Sequence, residues 1–114
     1  MTMKKELRDA WVARLRDPAN KQYHRQMFAY DKNNTATCCL GQLCIANGYV
    51  RREITGHEDE TAVRQITDPP YYYQFVKEII GIKNKDYCIE MNDRLGKSFI
   101  EIADWIEANI SVED

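Results

Sequence analysis

The sequence predicts a mainly α-helical fold of about four helices with a small β-hairpin, a compact single-domain α+β protein spanning residues 1–114. Three observations predict it. Apolar residues recur at helical spacing in four stretches, near 3–16, 38–47, 69–80 and 98–110. One stretch, Asp31-Lys32-Asn33-Asn34, is a strong turn signal between two short β-prone runs. The composition, 44% hydrophobic and 30% charged over 114 residues, is that of an ordinary globular domain able to bury a core without staples.

The first helix is expected over 3–16. Leu7, Ala10, Trp11, Arg14 and Leu15 fall at i, i+3, i+4, i+7 and i+8, so Leu7, Trp11 and Leu15 form one apolar stripe. Thr2 is a suitable N-cap. Asp17-Pro18 stops the helix, because a residue before proline is driven out of the α region. The polar, basic run Lys21-Gln22-Tyr23-His24-Arg25 follows. Gln26 to Tyr30 reads as a strand, and Thr35-Ala36-Thr37 as its return after the turn.

The next helix, roughly 38–47, holds three of the four cysteines. Leu40, Leu43, Cys44 and Asn47 make one row, and Cys39, Leu43 and Ala46 the adjoining one. A helix apolar nearly all round is enclosed rather than laid on a surface. Gly41 within it costs on the order of 1 kcal/mol against alanine and reads as a point of close approach. Asn47-Gly48 is a helix stop. Residues 49–54 read as a short strand and Thr55–Thr61 as a charged loop.

Asp68-Pro69-Pro70 opens a further helix, with Asp68 as cap and Pro69 at the first helical position. Tyr72, Phe75, Val76, Ile79 and Ile80 face inward, and Tyr71, Tyr73 and Lys77 lie on the outer side. Gly81 ends this helix, with Ile82 folding back on it. Asp86–Asp93 reads as a short helix or a strand, helix being the better fit. Gly96-Lys97 connects it to the last helix. There Ser98 and Glu101 form a capping box, the clearest helix start in the chain. Phe99, Ile102, Ala103, Ile106 and Ile110 recur at core spacing behind it, and Glu101, Asp104 and Glu107 line an acidic outer face.

Several function classes are disfavoured. No run of about 18 apolar residues suggests a membrane span, and no apolar segment follows the N-terminal lysines to suggest a signal peptide. A cytosolic protein with reduced thiols is the expectation. Glycine-rich phosphate loops are absent. Net charge is −2 and unevenly divided: residues 1–52 hold ten Lys/Arg and four Asp/Glu, while residues 53–114 hold six and fourteen. Mutual attraction of the two halves within the fold is the simpler account. An anion-attracting face on one half and an acidic face on the other is the functional one.

Thiol chemistry is the first candidate. Cys38, Cys39 and Cys44 lack metal-ligand spacing, and side chains of adjacent cysteines on a helix point about 100° apart. Neither a metal nor another cofactor is therefore expected, and buried, inert thiols are the commoner outcome. Cys38 alone, at a helix N-terminus that lowers a thiol pKa, is a candidate nucleophile. The candidate binding residues are Lys21, Tyr23, His24, Arg25, Arg51 and Arg52, cations interleaved with aromatics as phosphate- and base-binding surfaces require. Tyr71 and Tyr73 join them as anchors for a protein partner.

The motif Cys38-Cys39-Leu40-Gly41-x-Leu43-Cys44 resembles that of a group of small, largely uncharacterised proteins of tailed phages and prophages. The likeness extends along most of the chain. It includes Trp11-Val12-Ala13-Arg14-Leu15-Arg16, the basic Lys21-Gln22, and the ending Asn92-Asp93-x-x-Gly96-Lys97-Ser98-Phe99-x-Glu101-Ile102-Ala103-Asp104-x-Ile106-Glu107. The chain departs from that pattern at Gln42 and Ile45, which replace an aliphatic and an acidic residue of the group, and in a turn one residue longer at Arg94-Leu95. The resemblance implies a phage origin, the host cytoplasm and no particular reaction. The expected function is that of an accessory protein which binds and modulates a host protein, such as a defence component, without catalysis. The alternatives are a binder of nucleotide or nucleic acid and a thiol enzyme using Cys38.

Overall fold

The computed structural model describes residues 3–24, 36–47 and 69–113, with side chains of the last segment from residue 74 onward. The described chain runs β1 (Met3–Lys4), α1 (Lys5–Arg16), α2 (Cys39–Ala46), α3 (Pro69–Ile80), α4 (Ile82–Asp93), α5 (Phe99–Asn109) and β2 (Val112–Glu113). It is a compact, mostly helical α+β arrangement, as the periodicity predicts.

The two strands pair in parallel, Met3 with Val112 and Lys4 with Glu113, so the two ends of the chain lie side by side. This corrects the expected start of the first helix. Met3 and Lys4 are extended, and Lys4 occupies the N-cap with no side-chain hydrogen bond. Pairing with a strand more than a hundred residues away seats Met3 in the core, and local helix propensity yields to that packing. From Lys5 the expected stripe holds: Trp11 and Leu15 are buried and Leu7 packs against the cluster. Asp17 ends the helix in an extended conformation, as its proline neighbour requires.

The expected strand over 26–30 and its turn lie outside the described residues, as do the strand over 49–54 and the loop that follows it. Thr37, the last residue of the expected hairpin, pairs in parallel with Gln22. Its N–H donates to the Lys21 carbonyl at 3.1 Å, and its own carbonyl accepts from Tyr23 N–H at 2.7 Å.

Helix α2 is enclosed: every residue from Cys39 to Cys44 is buried, against α1, α3 and α4. Its apolar character on every side is what permits this. Helices α3 and α4 are joined by Gly81 alone, at φ 84°. Its N–H donates to Lys77 and its carbonyl accepts from Lys85, so one residue closes a helix and opens the next. Ile82 accordingly becomes the first residue of α4. It is 52% exposed, which corrects the expectation that it folds back onto α3. The helical reading of 86–93 holds and extends back to residue 82.

Gly96, at φ 66°, turns the chain into α5 with open space around its Cα, so glycine is required there for its backbone conformation. The Ser98–Glu101 capping box forms in both directions. Phe99, Ile102, Ala103, Ile106 and Ile110 complete a core continuous with Trp11, Leu40, Leu43, Val76, Ile80 and Met91. Among the described residues no helix is long and apolar enough to cross a membrane.

Candidate binding surfaces

The four cysteines are buried free thiols. Cys38 does stand at the N-cap of α2. The backbone N–H groups of Gly41 and Leu40 favour its thiolate, but burial outweighs them and pushes its pKa up to about 12. The expectation of a lowered pKa at this helix end is thereby corrected: a helix N-terminus activates a thiol only where the thiolate keeps solvation. The Cys39 thiol is raised by its hydrogen bond with the Cys88 side chain and by burial, and its Sγ also lies 3.5 Å from the Cys88 carbonyl. Cys44 is raised by burial. Among the described residues, no three His, Cys, Asp or Glu side chains converge to hold a metal ion.

The basic run after α1 forms a strap across the molecule, and a buried asparagine holds it. Asn92, wholly enclosed near the end of α4, accepts at Oδ1 from Gln22 Nε2 at 2.9 Å and from the Cys39 backbone N–H at 3.2 Å. Its Nδ2 donates to the Tyr23 carbonyl at 2.9 Å and to Asp93 at 2.7 Å. Its own carbonyl meets His24 Nδ1 at 2.7 Å. Because a carbonyl only accepts, Nδ1 carries the proton in that contact, and Nε2 is the basic nitrogen of the neutral ring. Gln22 Nε2 also reaches the Lys97 carbonyl at 2.9 Å.

The strap therefore presents Lys21 and His24 to solvent, with Tyr23 half-buried between them. Arg25, Arg51 and Arg52 lie outside the described residues. Tyr71 and Tyr73 lie near the start of α3, and their side chains are outside the description. Of the eight candidate binding residues, the described structure thus brings together Lys21, Tyr23 and His24.

A second polar network ties the strap to α2. Gln42, buried inside α2, accepts from Arg14 Nε at 2.8 Å and donates to Thr37 Oγ1 at 2.9 Å. Asn20 donates to the Arg14 carbonyl at 2.8 Å. Trp11 Nε1 donates to the Cys39 carbonyl at 2.8 Å.

The acidic face of α5 is engaged by the chain's own cations. Arg16 of α1 reaches Asp104 at 2.8 Å and also bonds Glu107, while Lys97 stands 3.8 Å from Glu101. Asymmetry between the charged halves is satisfied in part within the fold, as the simpler reading of the charge division expects. Exposed pairs of this kind are screened by solvent and contribute little to stability.

Between α4 and α5 the surface carries a feature that sequence reasoning missed. The rings of Tyr87 and Trp105 stack at 5.0 Å between centroids, tilted by 45°. Tyr87 is 38% exposed, and Trp105 is half-buried with part of its ring on the core. The signal was present: Trp105 lies beside, not within, the stripe of Phe99, Ile102, Ala103 and Ile106, among Glu101, Asp104 and Glu107. A large aromatic ring at such a flank has one face on the core and one toward solvent. Compared with known protein families, curated proteins and solved structures, the chain matches none.

Proposed function

We propose that this chain is a phage-encoded accessory protein that works in the host cytoplasm by binding and modulating a host protein, such as a defence component, without catalysis of its own. The observation that carries the reading is the Tyr87–Trp105 pair. Tyrosine and tryptophan bury much area at little loss of side-chain freedom and are enriched at the centres of protein interfaces. The protonated, buried Cys38 thiol adds to it, since a nucleophile there would first have to be exposed and ionised. Because Arg16 engages Asp104 and Glu107, the aromatic pair rather than the acidic face of α5 is the proposed contact.

The test is a nuclease-treated pull-down from bacterial host lysate with saturation measured, comparing the parent chain with Tyr87→Ala. A saturable protein partner is expected, with binding weakened about tenfold or more by the substitution, the range of an interface anchor. Absence of any saturable protein partner overturns the reading, and equal binding by Tyr87→Ala overturns the assignment of the contact. The exposure of Lys21 and His24 on a fixed strap favours nucleotide or nucleic acid as a second reading. Material lost on nuclease treatment, or salt-sensitive binding abolished by Lys21→Ala, would select it.

A further inference from the structure

We draw no further inference here: the strongest candidate, the apolar groove where β1 and the start of α1 meet the end of α2 and α3, lined by Met3, Leu7, Asn47, Phe75 and Ile79, carries nothing because nothing among the described residues shows what covers it.

Discussion

Helices α2 and α5 both anchor the core, and they are specified in opposite ways. Helix α5 carries its own instructions: Ser98 and Glu101 satisfy the first backbone donors, an apolar stripe faces inward, and charged residues face out. Helix α2 has no charged residue, no cap from the side chain of its own N-cap residue Cys38, and scarcely an outer face. Its first turn is completed by distant groups. The Cys39 N–H is taken by Asn92 of α4, the Cys39 carbonyl by Trp11 of α1, and Gln42 is held between Arg14 and Thr37. Enclosure makes the Asn92 bond necessary, because water cannot satisfy the unpaired N–H groups at a buried helix start. A helix at a surface can be specified locally, whereas one at the centre depends on its neighbours.

That contrast is most directly broken at Asn92. Asn92→Ala leaves the Cys39 N–H and the Tyr23 carbonyl without their side-chain partner and removes one of the two acceptors of Gln22 Nε2, the Lys97 carbonyl remaining. The expected loss is about 3 kcal/mol, several hydrogen bonds of roughly 1 kcal/mol each together with the cost of stranded buried groups. Denaturant unfolding should show a lower midpoint with little change in slope. A loss under about 1 kcal/mol would mean that the network does not hold α2. Trp11→Phe comes next, at about 2 kcal/mol, from a lost indole donor to the Cys39 carbonyl and a partly unfilled core site. Faster amide exchange in α2 than in α5 would tie both losses to the central helix.

The same contrast decides what was legible in the sequence. Helix α5, the proline stop after α1 and the apolar stripes could be read because their causes lie within a turn or two of each residue. The enclosure of α2 was legible from its apolar residues. Its fastenings were not, since Asn92 acts on Cys39 across 53 positions. One clue stood in reach: Asn92 lies four residues after Cys88, on the buried row of α4 beside Met91, where a polar residue requires partners. The β1–β2 pairing was illegible for a similar reason, because two-residue strands at opposite ends of the chain carry almost no pattern. For the candidate surfaces, the strap over Lys21–His24 was readable as composition, but its attachment was not. The place of Cys38 at a helix start is legible from the residues around it, whereas its burial is not, since that depends on what the rest of the chain stacks above it.

Local specification of α5 is tested by smaller changes. Ser98→Ala removes the acceptor for the Glu101 N–H and should cost about 1 kcal/mol, the usual value of an N-cap. Because the cause is local, this loss should add to that of Asn92→Ala without coupling. Coupling beyond about 0.5 kcal/mol would show that the two helices are not independently specified.

The smallest effect concerns the other half of the same box. The Ser98 backbone N–H donates to the Glu101 carboxylate at 3.0 Å and holds its pKa below the ordinary glutamate value, with the Ser98 side chain acting in the same direction. A carboxyl group whose pKa is lower folded than unfolded stabilises the fold above the unfolded value, and that contribution disappears as pH falls through the folded one. Glu101→Gln keeps an acceptor oxygen for the box and removes the charge. Its melting temperature should therefore sit slightly below the parent's near neutrality and decline less steeply on acidification, the two curves converging as pH falls through the lowered Glu101 pKa. Some acid slope should survive in the variant, since the hydrogen bond from Lys5 also depresses Asp9. Parallel curves from neutrality down through the acid range would show that the Glu101 charge contributes nothing to the start of α5. The capping box would then act through its neutral hydrogen bonds alone.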